Sequence, residues 1–287
     1  MRGFLLSVMV GCLVWAGCGE PQSGGEVLRL QTDWLAQPEH GGFYQAAEMG
    51  LYAEAGIEVA VLEGGPNALI MEKLASGRVD FAIGRSDDVM LARAQGLDFK
   101  IVAAFMQHDP QALMLHASNP IDSFADLDGQ RVMAAPGQAW VPLIEGKFDI
   151  ELELLPLDFG TERFMADPAF IQQVFLTSEP FYVRQHGVQP KLLLLRETGF
   201  DPYRVIYTTD RLIAERPEAV RAFVEVSLAG WHAYMQTPGT EAHAAIAERN
   251  PKKTPEFIAY VREAMREHQL VYGSAEAGEA LGQVRPE

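Results

Sequence analysis

Apolar and polar positions divide the first third of the chain into a repeating strand–helix pattern. Val27-Leu28-Arg29-Leu30-Gln31 reads as a strand, followed by Thr32-Asp33-Trp34 and a loop at 35–39. Phe43, Ala46, Ala47, Gly50 and Leu51 then fall at i, i+3, i+4, i+7 and i+8, one apolar face of a helix that Gly56 ends. Residues 57–62 are rich in strand formers and complete a βαβ unit. Glu63-Gly64-Gly65-Pro66-Asn67 leads into a predicted helix over 68–75, with Pro66 suited to the first helical position. A strand over 79–84, a helix over 89–95 capped by Ser86 or Asp87, and a strand over 100–106 continue the alternation. The pattern predicts a parallel sheet covered on both faces.

Gln107-His108-Asp109-Pro110 breaks this pattern, and a strand at 112–116 follows with no helix between. That break marks a crossing into a second, smaller α/β unit. There the pattern predicts a turn, short helix and turn over 121–129, a strand at 131–135, and a loop from Pro136 to Trp140 opening a helix. A strand at 151–157, a helix starting in 169–174, a strand at 175–178 that runs into Glu179-Pro180-Phe181-Tyr182, and a strand at 191–195 complete the unit. Residues 205–208 return the chain to the first unit. Helices follow over 217–236, 241–249, 255–269 and, more weakly, 275–281. The expected organisation is a first lobe of 27–110 and 205–287 and a second lobe of 111–204.

The N-terminus is of another kind. Arg2 precedes an apolar run over 4–16, too short to span a bilayer but shaped like a secretory signal. The run ends in Ala16-Gly17-Cys18, which resembles the lipobox of bacterial lipoproteins, whose Cys becomes the lipidated first residue. Residues 1–17 are then a signal peptide and 18–26 a lipidated, flexible tether; Cys12 is a second candidate, and plain signal cleavage or a signal anchor the alternatives. Both Cys residues lie in this leader, so the mature domain has none for a disulfide or a thiolate metal site. The formal charge of −16 becomes −17 after cleavage, because Arg2 is the only charged residue ahead of Cys18. Lys252-Lys253 is the only adjacent lysine pair, so nucleic-acid binding is not expected.

The chain has no Gly-x-Gly-x-x-Gly, no phosphate-loop Gly-Lys-Ser/Thr, and no Gly-x-Ser-x-Gly. Its seven His are scattered, and neither a metal nor a cofactor is expected. The candidates are polar and aromatic residues at element ends, where α/β sheets bind ligands. Trp34 suits stacking on a ligand ring or a half-buried place on a sheet edge. Glu39 and His40 flank the start of the first helix, His40 as a donor to ligand or a solvated cap. Tyr44 follows one turn on. Gly65, beside Gly64, offers an amide to ligand or forms a tight turn. Ser86 and Asp87 suit ligand contact or N-capping. Gln107 lies in the crossing. Trp140 either faces Trp34 across a cleft or packs under its loop. Asp158 closes a strand. Glu179 is the strongest candidate, because a carboxylate between an apolar strand and Pro180 is costly to bury unpaired; Tyr182 would stand beside it or in the core. Carboxylates outnumber cations in this set. That suits a ligand rich in donors better than an anion, which would want Arg, Lys and free helix N-termini.

Taken in order, several pieces resemble the solute-binding proteins of ABC importers, in the branch shared by thiamine-pyrimidine-precursor and alkanesulfonate, taurine or nitrate binders. They are Asp33-Trp34 with His40-Gly41-Gly42-Phe43-Tyr44, residues 51–59 (LYAEAGIEV), residues 74–83 (LASGRVDFAI), residues 123–129 (SFADLDG) and residues 216–220 (RPEAV). The Trp, the His-Gly-x-x-Tyr helix start and the later Glu look most like the pyrimidine-precursor subgroup, although 136–170 is shorter than that subgroup implies. The resemblance implies an α/β, type II periplasmic-binding-protein fold with a ligand cleft between two lobes. It implies a monomeric, non-enzymatic, extracytoplasmic binder that delivers an aromatic heterocycle to a membrane permease and is held to the membrane by its lipid. A sulfonate, nitrate or other anion is the alternative ligand. Related enzymes of pyrimidine synthesis use a Cys-rich motif that the mature chain lacks. Cys18→Ala is expected to abolish lipidation and release the domain; unchanged membrane fractionation and an unchanged N-terminal peptide mass would contradict this.

Overall fold

The computed structural model describes residues 27–237 and 241–285; the leader, with Cys12, Cys18 and the tether, lies outside the described residues. The chain opens with β1 (Leu28–Gln31), a 3-10 turn at Pro38–His40, α1 (Gly41–Glu48), α2 (Leu51–Glu54) and β2 (Val59–Leu62). Next come α3 (Ile70–Ala75), β3 (Phe81–Arg85), α4 (Ser86–Ala94) and β4 (Phe99–Met106). The second unit holds β5 (Gln111–His116), β6 (Arg131–Ala134), α5 (Trp140–Phe148), β7 (Glu153–Pro156), α6 (Glu162–Ala166), β8 (Ile171–Phe175), α7 (Glu179–Gln185) and β9 (Pro190–Leu194). β10 (Arg204–Thr209) leads back, and α8 (Asp210–Glu215), α9 (Pro217–Gln236), α10 (Glu241–Arg249) and α11 (Pro255–Glu267) follow.

Two five-stranded sheets result, ordered β2-β1-β3-β10-β4 and β7-β6-β8-β5-β9. The expected parallel sheet is in fact mixed. β10 runs antiparallel between β3 and β4, and β5 runs antiparallel between β8 and β9. Each is the strand that has just crossed from the other sheet, so it enters in the opposite direction to the βαβ strands around it.

Several local readings change. The first helix breaks at Gly50, whose φ of 73° is left-handed and separates α1 from α2. The helix expected from 68 begins at Ile70, because Asn67 and Leu69 both take positive φ. Residues 169–174 hold a strand, not a helix start: β8 lies at the middle of its sheet, paired with β5 and β6, and buries Ile171, Gln172 and Val174. Glu179 therefore opens a helix rather than closing a strand. The weak helix over 275–281 is a run of turns, after which Gly282 bridges to Ala104 on β4.

Both faces of each sheet are covered. In the first lobe Phe43, Phe105 and Trp231 pack between β4, α1 and α9, with Phe105 and Trp231 stacked at 5.4 Å and Phe81 and Phe223 at 3.9 Å. Leu74, Val89 and Tyr207 fill the opposite face. In the second lobe Leu113, Val132 and Ile171 meet Trp140 and Ile144, and Met114, Met133 and Phe164 fill the other side. Each such side chain contributes about 1.5–3 kcal/mol by leaving water.

The helix that carries the site is set by its glycines. A Cβ on Gly42 would lie 2.2 Å from Trp231 Cγ, one on Gly41 2.2 Å from Tyr234 Cζ, and one on Gly230 2.4 Å from the Gly42 carbonyl. Only backbone fits there, so α1 lies directly on α9. Gly42→Ala is expected to cost about 1–3 kcal/mol by overpacking. Gly146→Ala on α5, where nothing lies within 4 Å, is expected to be neutral or slightly stabilising. Urea denaturation of both variants checks the contrast.

The crossings are tied together by His108. Its Nδ1 lies 2.6 Å from Asp201 Oδ2 in the return segment, and its Nε2 lies 3.2 Å from Glu279 Oε2 in the C-terminal tail. Two carboxylates facing both ring nitrogens favour the doubly protonated ring. The Asp201 hydrogen bond, with the charges of Asp201 and Glu279, outweighs burial and Arg196 and raises the His108 pKa above its ordinary 6.5. A raised folded-state pKa stabilises fully below 6.5 and is lost as pH rises through the folded value. His108→Gln is therefore expected to destabilise at acidic pH and to flatten the decline in melting temperature above 6.5; parallel decline in both proteins would contradict it.

Candidate binding site

The carboxyl end of β1 sets the site. Asp33 Oδ1 lies 2.9 Å from His40 Nε2, and Asp33 Oδ2 accepts from Arg204 Nη2 on the returning strand β10. Desolvation would raise the Asp33 carboxyl, but Arg204 and His40 outweigh it and hold it well below the usual carboxylate range. Thr32 Oγ1 donates to the Trp34 carbonyl at 2.8 Å, and the Gly64 amide reaches the same carbonyl at 3.0 Å, so the Trp34 loop is held from two sides.

A cleft of about 1000 Å³ lies between the two sheets. From the first lobe it is lined by Trp34, Glu39, His40, Arg85, Asp88, Arg204 and Lys253, among others. From the second come Gln111, Gln172, Gln173, Phe159, Phe175, Glu179 and Tyr182. Trp34 and Phe159 meet across it, ring centres 5.3 Å apart and tilted by 36°. Arg85 donates across it to Gln138 and, through its fork, to both oxygens of Asp88 at 3.1 and 2.8 Å.

The two guanidiniums in the cleft are thus already matched by carboxylates. Glu39 and Glu179 have no such partner. Glu39 is buried, and its Oε2 has no hydrogen bond among the described residues. Glu179 Oε2 accepts from the Phe175 amide at 3.0 Å. Burial pushes the Glu179 carboxyl above its usual range, backbone hydrogen bonds and Lys253 oppose this, and Glu39 adds to it. Burial, with the charges of Glu39 and Glu179, pushes the Tyr182 hydroxyl up to about 12. Among the described residues no cluster of His, Cys, Asp and Glu could hold a metal, and no helix is long and apolar enough to cross a membrane.

Of the residues singled out from sequence, Trp34, Glu39, His40, Glu179 and Tyr182 line this cleft; the other seven do not. Tyr44 is buried under Arg249, whose guanidinium lies 5.3 Å above its ring. Gly65 takes φ 140° in the turn behind Leu35. Ser86 is the first residue of α4, not its cap, and its Oγ accepts from the Tyr203 amide at 3.1 Å. Asp87 Oδ1 lies 3.2 Å from Arg85 Nε, the same nitrogen that donates to Asp88. Gln107 donates to the Gln283 carbonyl at 3.1 Å. Trp140 is wholly buried in the second lobe's core. Asp158 accepts the Gly160 amide at 2.9 Å, and its neighbour Phe159, at φ 61°, points to Trp34 instead. Sequence reasoning passed over Phe159, Arg204, Lys253 and the three glutamines. Gln111 and Gln172 carried a signal, as amides on otherwise apolar buried strands.

The profile of the NMT1/THI5-like family matches residues 37–241, well over half the chain. The chain belongs to the NMT1/THI5-like family. Among curated relatives of this NMT1/THI5-like chain, the riboflavin-binding protein RibY of Chloroflexus aurantiacus is 29% identical over 214 residues, covering 71% of the chain and 61% of RibY. The chain thus spans about three fifths of that relative's length. The formylaminopyrimidine-binding protein of Halalkalibacterium halodurans is 21% identical across 89% of this chain and 82% of its own. Shorter matches, such as one over 37% of the chain, are to 4-amino-5-hydroxymethyl-2-methylpyrimidine phosphate synthases. The alkanesulfonate-binding protein SsuA of Xanthomonas axonopodis pv. citri, solved with MOPS, superposes with a TM-score of 0.62 at 14% identity, covering 91% of this chain and 86% of SsuA. The NMT1/THI5-like chain therefore has the type II periplasmic-binding-protein fold expected from its sequence, two α/β lobes about a cleft.

Proposed function

We propose that this protein is the extracytoplasmic solute-binding component of an ABC importer and captures a small aromatic heterocycle bearing amino groups. It would pass the ligand to a membrane permease and would be held at the membrane by lipidated Cys18, without covalent chemistry. One observation carries the ligand class: Arg85 and Arg204 are neutralised by Asp88 and Asp33, while the buried Glu39 and the half-buried Glu179 face the cleft without a guanidinium. A sulfonate or nitrate would sit among buried like charges and find both guanidiniums occupied. A ring with amino donors satisfies the carboxylates, and Trp34, Phe159 and Phe175 supply faces for it. The relatives named for formylaminopyrimidine and riboflavin support a nitrogen heterocycle. The cleft volume of about 1000 Å³ favours a second reading, a ligand of riboflavin's size.

Titration calorimetry with an aminopyrimidine, riboflavin and a small alkanesulfonate tests this. A hydrogen bond to a charged group is worth roughly 1.5–3 kcal/mol, so Glu179→Gln is expected to weaken heterocycle binding by about one to two powers of ten. Trp34→Ala is expected to lose affinity while keeping its circular dichroism spectrum, because the ring is half-exposed. Tight sulfonate binding indifferent to Glu179→Gln would replace the heterocycle with an anion. Unfolding of Trp34→Ala would make that ring part of the core.

A further inference from the structure

One corner of the cleft, between the 3-10 turn, α7 and the loop before α11, holds buried polar groups with unused bonding capacity. Lys253 is only 9% exposed. Its ammonium has three donors. It reaches Tyr182 Oη at 3.3 Å and lies 4.0 Å from the centre of the Phe257 ring, with no ion pair among the described residues. Glu39, 8% exposed, has an unpartnered Oε2, and Glu179 accepts from backbone amides, its own and that of Phe175. All three line the cleft. They approach from different parts of the fold: Glu39 precedes α1, Glu179 opens α7 in the second lobe, and Lys253 precedes α11. A buried ammonium with donors to spare, a carboxylate with an unpartnered oxygen and a second carboxylate held by backbone amides, with no ion pair joining them among the described residues, leave a gap that a ligand edge can bridge.

We infer that Lys253 is a specificity residue, donating to an acceptor atom of the ligand that adjoins the amino groups bound by Glu39 and Glu179. The inference rests on the heterocycle reading above and narrows it. Lysine can only donate and ionised glutamate can only accept. The corner therefore matches a ring edge on which an amino group stands beside a ring nitrogen or carbonyl oxygen. Aminopyrimidines carry such an edge. An arylamine without a ring acceptor meets the carboxylates but leaves the ammonium unbonded, and the imide edge of a flavin presents an N–H between two carbonyls, the reverse order. Burial lowers the Lys253 pKa against the opposing pull of Glu39 and Glu179, in keeping with an ammonium that lacks a close counter-ion.

The test is calorimetry of wild type and Lys253→Met, similar in length but without donors, using 4-aminopyrimidine and aniline. The expected result is a loss of about ten- to hundredfold for 4-aminopyrimidine and no change for aniline. Lys253→Arg, which keeps charge and donors, is expected to recover part of the discrimination. Equal losses for both ligands, or none for either, would overturn the inference while leaving the heterocycle reading intact. Failure of wild type to bind 4-aminopyrimidine would overturn both. Thermal melting accompanies each titration, and if Lys253→Met melts early, Lys253→Leu, which also lacks donors, takes its place with the same pair of ligands.

Discussion

The cleft depends on the Asp33 carboxylate at the end of β1. One oxygen holds His40 and the other holds Arg204. His40 stands at the start of α1, so this bond sets the place of Glu39 one residue earlier. Arg204 is the first residue of β10, so the same carboxylate anchors the strand that brings the chain back from the second lobe. A charge-assisted network of this kind, desolvated on one side, is far more directional than the apolar packing around it. It also occupies Arg204, which would otherwise be the natural anchor for an anion.

The sheets have a fold shared with the alkanesulfonate-binding SsuA, yet the charges in this cleft are arranged differently from what an anion would want. Arg85 is closed off by Asp88, Arg204 by Asp33, and the uncompensated groups are Glu39, Glu179 and Lys253. Folds of this kind host many ligands, so these side chains, rather than the architecture, decide the ligand class.

The hinge is polar and strapped. Asp201 accepts from the Asp109 amide at 2.8 Å as well as facing His108, so one carboxylate joins both crossings. The C-terminal tail adds Glu279 to His108 and the Gln283 carbonyl to Gln107, and pairs Gly282 with Ala104 on β4. α7 of the second lobe also leans on the first, with Phe181 and Tyr182 both 5.2 Å from the Phe257 ring. Contacts across the cleft such as Trp34–Phe159 and Arg85–Gln138 complete an arrangement in which the two lobes are drawn together.

The sequence by itself determined what depends on local periodicity and punctuation. The βαβ start, α9 at Pro217–Gln236, α10 at Glu241–Arg249, the break at 107–110 and the return near 205 are all legible, because an apolar stripe, a proline or a capping residue marks them within one segment. Trp34, Glu39, His40, Glu179 and Tyr182 were legible as cleft residues because loops at strand ends and helix starts face ligands in sheets of this kind. Tertiary structure decided the rest. β8 reads like a helix start because its buried Gln172 interrupts the apolar pattern, and only pairing between β5 and β6 makes it a strand. Trp140 and Tyr44 look identical in sequence to ring-stacking residues, but depth of burial is a property of the assembled lobes. Whether Asp158 or Phe159 faces the cleft turned on one positive φ. Lys253 was invisible as a site residue, since a lysine in a polar loop reads as solvated until α7 of the other lobe is laid beside it. Charge pairing is likewise a long-range fact: nothing within either local segment reveals that Asp33 neutralises Arg204, 171 residues away, and so leaves the cleft to its glutamates.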